Sequence, residues 1–272
     1  MMMTPTMTQR LLYLGLITLL LLPLAGCPGS RGSSGTGQRG SAGQSAGEQA
    51  AAKTNLGAAL LMAGEYDKAL PELLKARELT PKNADIENYL GQAYGGMKQY
   101  PLAIESYAQA LKLDPKRTDV RNNLGVIYLA QKNYDQALAE FNTCLEDLVY
   151  QKKHLPLANI GLTYLEMGQY DQALPPLTRA TEITPNYGKS YQIIGRVHLA
   201  RGQTKEAVDY LTNASKLDPN DAETLLILGD AHTRLGDREE AAQAYSRASA
   251  LAPNTPLALE AQKRARAVMG FD

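Results

Sequence analysis

The sequence predicts an all-α protein in which six helical hairpins stack into a superhelix and a final helix caps the stack. Three observations predict it. A small alanine recurs at Ala69, Ala103, Ala137, Ala173, Ala207 and Ala241, in steps of 34, 34, 36, 34 and 34 residues. A glycine keeps the same beat at Gly57, Gly91, Gly125, Gly161, Gly195 and Gly229, always after a leucine or isoleucine, as in Leu90-Gly91 and Ile160-Gly161. Prolines at Pro81, Pro115, Pro185, Pro219 and Pro253 close five of the six units, while the third has Val149 there. A glycine facing a small alanine lets two antiparallel helices approach, and a proline ends the second of them. Gly91 is accordingly expected against Ala103, with Leu90, Tyr94 and Tyr107 filling the space around them.

Such a unit cannot bury its apolar face alone, so neighbours must stack. The period and its residues resemble the tetratricopeptide repeat, which implies a tetratricopeptide-repeat superhelix with a concave groove. The units run 50–83, 84–117, 118–153, 154–187, 188–221 and 222–255, and the third carries the two-residue excess. A capping helix is expected over 256–272: Thr255 and Pro256 form a good helix start and Gly270 a good stop. Leu257, Ala261, Ala265 and Val268 would face the last hairpin.

Ahead of the repeats, Arg10 precedes an apolar run from Leu11 to Leu22 that is too short to span a membrane and suits a signal-peptide core. The following Leu24-Ala25-Gly26-Cys27 resembles a bacterial lipobox. The resemblance implies removal of residues 1–26 as a lipoprotein signal peptide, with Cys27 lipidated and first in the mature chain; an ordinary signal peptide beside an incidental cysteine is the alternative. Several acyl chains on one residue suffice for stable anchoring. With Pro28 rather than Asp second, the resemblance implies an outer-membrane, lipid-anchored protein whose repeats lie in the periplasm. Residues 27–49 complete the approach as a tether, because Pro28 to Gly47 is almost wholly Gly, Ser, Ala, Gln and Arg and cannot form a core. Its mean reach is roughly 25 Å.

Composition removes several functions. Lys and Arg number 28 against 28 Asp and Glu, interleaved through the repeats, so no basic stripe for nucleic acid exists. Gly35, Gly37 and Gly40 spell GxGxxG, yet no strand precedes them and no apolar helix follows. HExxH, P-loop and CxxC patterns are lacking, so no catalytic residue, metal, cofactor or small-molecule substrate is expected, and the protein reads as a non-enzyme. His198 and His232 occupy equivalent positions where earlier units have Leu60, Tyr94, Tyr128 and Tyr164, which favours a packed structural histidine over a metal ligand or pH switch. His154, at the start of unit four, has no ligand partner at metal spacing. Cys144 stands where the other units have alanine and reads as a buried, inert thiol. Tyr66, Tyr100, Tyr134 and Tyr170 recur at the turn inside hairpins, where packing is a better account than ligand stacking.

In arrays of this kind, unit positions 2, 5, 9, 12 and 13 of the first helices line the groove. The implied partner-binding residues are Ala58, Leu61 and Met62 of unit one, Asn122, Val126 and Leu129 of unit three, and Leu155, Ala158, Leu162 and Leu165 of unit four. Unit two offers Asp85, Asn88, Gln92, Gly95 and Gly96, and unit six Glu223, Asp230 and Arg234; these read as polar walls. Thr54 and Ala58 replace the Lys and Asn of carboxylate-clamping relatives, which disfavours chaperone binding. The apolar face suits an amphipathic helix or an extended peptide.

The long junction after unit three narrows the resemblance. Asn122-Asn123-Leu124-Gly125, then Asp147-Leu148-Val149-Tyr150, then Asn159-Ile160-Gly161-Leu162 resemble the six-repeat lipoproteins that act as type IV pilus pilotins, of the PilF and Tgl type. Val149 and Gln151 depart from prolines frequent in that family. The resemblance implies that secretin subunits are the partner and that the protein promotes assembly of their outer-membrane ring, hence pilus biogenesis and motility. A lipoprotein adaptor recruiting cell-wall hydrolases through the same groove is the second reading.

Overall fold

A computed structural model describes residues 45–270. The signal peptide, Cys27, and the tether up to residue 44 lie outside the described residues, as do the last two. The described chain holds thirteen α-helices: α1 (Ala46–Met62), α2 (Tyr66–Leu79), α3 (Ala84–Gly96), α4 (Tyr100–Leu113), α5 (Thr118–Ala130), α6 (Tyr134–Glu146), α7 (His154–Glu166), α8 (Tyr170–Ile183), α9 (Gly188–Ala200), α10 (Thr204–Leu217), α11 (Ala222–Leu235), α12 (Arg238–Leu251) and α13 (Pro256–Met269). They pair in order into six hairpins, each second helix also packing on the first helix of the next unit, and α13 closes on α12. Among the described residues no helix is long and apolar enough to cross a membrane.

The start of the array is a correction. Residues 46–49, assigned to the tether, are helical, because Ser45 accepts from the Glu48 amide while the Glu48 side chain accepts from the Ser45 amide. This reciprocal box satisfies two of the orphan donors at a helix start and sets the first turn before the repeat register begins.

The glycine beat has a sharper cause than a small neighbour. A Cβ built on Gly91 would stand 2.5 Å from the Tyr107 ring, one on Gly125 2.6 Å from Phe141, and one on Gly161 2.4 Å from Leu177. The glycine therefore seats the large residue four positions after the anchoring alanine, rather than the alanine itself. Those large side chains make the core: Leu73 with Ile86 and Leu90, Tyr107 with Val120 and Leu124, Phe141 with Ile160, Leu177 with Ile193, and Tyr245 with Leu225 and Ala261. Each cluster is shared by two successive hairpins or by the last hairpin and its cap, so the core runs along the array.

Inside each hairpin the turn needs one left-handed residue. Gly64, Gly168, Gly202 and Gly236 supply it in four units, but Lys98 (φ 59°) and Lys132 (φ 62°) do so in units two and three, where a side chain makes that conformation costly. The linker between α6 and α7, residues 147–153, absorbs the two-residue excess: Asp147 receives the Val149 amide and the Thr118 hydroxyl there. At the far end α13 begins with Thr255 capping the Ala258 amide and stops at left-handed Gly270, and Leu257, Ala265 and Val268 lie against the Tyr245 cluster as expected.

Candidate protein-binding cleft

Positions 9, 12 and 13 recur at intervals of three and four residues, so on each first helix they share one face. In α1, α3 and α5 those faces come together around a cleft of about 530 Å³. Ala58, Leu61, Met62 and Val126, four of the expected lining residues, border it, with Ala130 and Ile127 on the same side. Met62 is 91% exposed and Val126 39% exposed, so large apolar groups stand open to solvent at its mouth.

Unit two is not the polar wall expected from sequence. Gly95 and Gly96 form part of the cleft because their missing side chains make room: a Cβ on Gly96 would stand 2.5 Å from the Tyr66 ring, and one on Gly95 2.8 Å from Ile127. Tyr66, Tyr89, Tyr100 and Tyr107 line the same space. Tyr66 and Tyr100 thus border the cleft as well as packing the turn. Burial pushes the Tyr107 phenol well above the usual tyrosine range, so it stays neutral. Gln92, Asn123 and Lys98 are the polar groups of the lining. An apolar wall with a few amides and one ammonium can hold the side chains of a helix or strand and orient its backbone.

Two of the ten expected lining residues are buried. Ala158 is 2% exposed and belongs to the core with Leu177 and Ile193. Asn122 is 8% exposed, and its carbonyl accepts from the Asn159 amide at 3.0 Å. Asn123 in turn donates to Asn88 at 3.2 Å. The Asn122-Asn123 pair therefore ties α5 to α3 on one side and to α7 on the other. Buried amides are kept because each is paired.

Leu129, Leu155, Leu162 and Leu165 are half-buried. Leu129 packs on the Phe141 cluster and Leu162 and Leu165 on the Leu177 cluster, so unit four contributes scaffold more than surface. Beyond them the concave positions pair with one another. Glu166 meets Arg196 at 2.8 Å, Lys189 meets Glu223 at 3.0 Å, and Arg234 donates to the Leu199 carbonyl at 3.1 Å. Asp230 accepts from Tyr245 at 2.7 Å and from Arg264 of the capping helix.

The three histidines and Cys144 have structural partners. His198 stacks on Tyr210 with centroids 5.1 Å apart and bonds Gln203, and His232 pairs with Asp237 at 3.2 Å. Gln203 and Asp237 stand at the start of the next helix in both units, which explains the recurrence. His154 meets Tyr187 edge to face. Cys144 is fully buried, donates to the Thr118 carbonyl, and its thiol is pushed up to about 12 by burial. Among the described residues no group of three or more His, Cys, Asp or Glu is placed to hold a metal ion.

Solved structures share this architecture. A Pseudomonas aeruginosa structure described as a functional characterization of PilF is 24% identical, with a TM-score of 0.61 over 81% of this chain and 99% of that one. PilW, described as a widely conserved type IV pilus biogenesis factor, is 22% identical with a TM-score of 0.65 over 78% of this chain and 98% of that one. A tetratricopeptide repeat protein from Parabacteroides merdae is 20% identical with a TM-score of 0.68, covering 79% of this chain and 84% of its own. At these identities the likeness is one of fold. A comparison with curated proteins finds no match. Sequence models of the tetratricopeptide repeat match residues 48–116, 117–186 and 194–256, most of the array, and the chain belongs to the tetratricopeptide-repeat family.

Proposed function

We propose that this protein is an outer-membrane lipoprotein that binds secretin subunits in the cleft of units one to three and promotes their assembly into the type IV pilus ring. The observation that carries the reading is the open apolar cleft, with Met62 and Val126 exposed at its mouth, in a fold shared with PilF and PilW. A client helix or strand would set apolar side chains against Leu61, Val126 and Ile127, and the amides of Gln92 and Asn123 would take up its polar groups. Lipidation at Cys27 would hold the array beside the membrane in which the ring forms.

The test compares wild type with the Met62→Glu, Val126→Glu double variant in cells carrying a type IV pilus. Both side chains are exposed, so folding should be preserved. Secretin multimers and co-purification of secretin with this protein should fall at least tenfold, since a charge cannot be desolvated into an apolar contact without cost. A folded double variant that still supports multimers would remove the cleft from the reading. Cys27→Ser is expected to abolish palmitate incorporation and release the protein from membranes; labelling that persists would overturn the anchor.

A further inference from the structure

At the fourth position of units one and three a cation reaches a glutamate nineteen residues later in the same hairpin. Lys53 pairs with Glu72 at 2.9 Å, and Arg121 with Glu140 at 3.4 Å. Unit two reverses the first partner and drops the second. Its fourth position is Glu87, and nineteen residues on stands the uncharged Ser106.

Glu87 is only 4% exposed, and among the described residues its carboxylate has no hydrogen-bond donor. The nearest cation is Arg77 at 3.9 Å, beyond hydrogen-bonding distance, with a side chain 42% exposed. Burial holds the Glu87 carboxyl above the ordinary glutamate range, with Arg77 offsetting part of the shift and Glu105 adding to it. A second cavity, of about 460 Å³, opens at this carboxylate between α2, α3 and α4. Glu87, Glu105, Ser106 and Tyr94 line it together with Arg77 and the exposed Lys112, and it shares no residue with the cleft of units one to three.

We propose that this cavity receives a lysine or arginine side chain from a partner protein, whose cation supplies the charge that units one and three supply from their own chain. The stem of such a side chain is apolar and would lie along the Tyr94 ring and Leu102, while its head meets Glu87 with Glu105 alongside. A buried carboxylate without a close partner is costly, and a cation that reaches it recovers much of that cost. Ser106 leaves the space in which the head group fits.

The test titrates Nα-acetyl-lysine methylamide into the full chain and follows the backbone amide resonances of Tyr94, Ser106 and Gln109. Saturable shifts are expected for this probe and not for the norleucine analogue, which keeps the stem and lacks the charge. Glu87→Gln should weaken the response at least tenfold. Ser106→Lys, which brings a cation into the same space, should abolish it and gives a second variant if Glu87→Gln does not fold. No saturable shift, an equal response to norleucine, a stronger response to Nα-acetyl-glutamate methylamide, or undiminished binding by Glu87→Gln would each overturn the proposal. Met62→Glu with Val126→Glu should leave lysine binding unchanged, so failure here and failure of the secretin reading are read separately.

Discussion

Position nine of the unit is Ala58, Gln92 and Val126 in the first three hairpins, and Leu162, Arg196 and Asp230 in the last three. One register thus yields two surfaces. In the first three, short side chains and the Gly95-Gly96 pair leave a cleft with tyrosines around it. In the last three, Arg196 is held by Glu166 and Asp230 by Arg264 and Tyr245, so the same face is joined to itself across successive hairpins. Backbone geometry does not decide which part of a repeat array stays open; side-chain length and pairing at a few concave positions do. Where those positions already have partners, a client would have to replace interactions that exist.

The sharpest way to break this comparison is Leu162→Glu. Leu162 leans on the Leu177 cluster, so a carboxylate there should cost about 2–4 kcal/mol in denaturant unfolding. A loss well under about 1 kcal/mol would make unit four a free surface and extend the cleft. Next in size is Arg264→Ala, which strips Asp230 of its capping partner. Both side chains are about a third exposed, so screening limits the loss to about 1–2 kcal/mol. Amide exchange should rise in α13 first, and unchanged exchange there would show that the cap is held by apolar contact alone.

Lys98→Gly should act in the opposite direction. Glycine adopts φ 59° without strain, for a gain of about 0.5–1 kcal/mol in melting experiments. Because Lys98 also lines the cleft, weaker client capture by this more stable variant would tie the strained turn to binding; the same substitution at Lys132, which does not line it, is the control. The smallest effect is in acid. The Arg117 guanidinium holds the Asp119 carboxyl below its ordinary value, so the stability it lends is present above the unfolded value of about 3.9 and is lost as pH falls through the folded one. Arg117→Ala should flatten that limb, and an unchanged acid limb would show that the pair contributes nothing.

Much of this was legible because repetition averages out error. Six glycines and six alanines in step define the hairpins, and the prolines stand two residues after their helices end, as Pro115 does after Leu113. The cap was equally plain from Thr255, Pro256 and Gly270. What the repeat template hides is the individual residue. It places Asn122 and Ala158 in the groove because position five points there on average, but an asparagine that meets another amide on the next hairpin, or an alanine drawn into the core, turns inward. It also counts Gly95 and Gly96 as polar wall, whereas glycine acts through the neighbour it admits. The capping box at Ser45 and Glu48 is a plain four-residue signal, missed because a low-complexity stretch runs straight into it.

The paired amides have a mechanical consequence. Asn88 to Asn123 and Asn122 to Asn159 stitch α3, α5 and α7 into one run, and the run stops at Ala158, which has no amide to pass on. Immediately beyond, three buried polar atoms lack partners among the described residues: Nδ1 of His154, Oγ of Ser190 and Oε1 of Gln192. In a linear stack each hairpin is secured only by its neighbours, so a load is borne in series and the poorest joint yields first. The joint between α7 and α9 has no such stitch and is held instead by the apolar cluster of Ala158, Leu177, Ile193 and Val197. An array divided at that joint would keep the cleft whole, because every residue that lines it lies in units one to three.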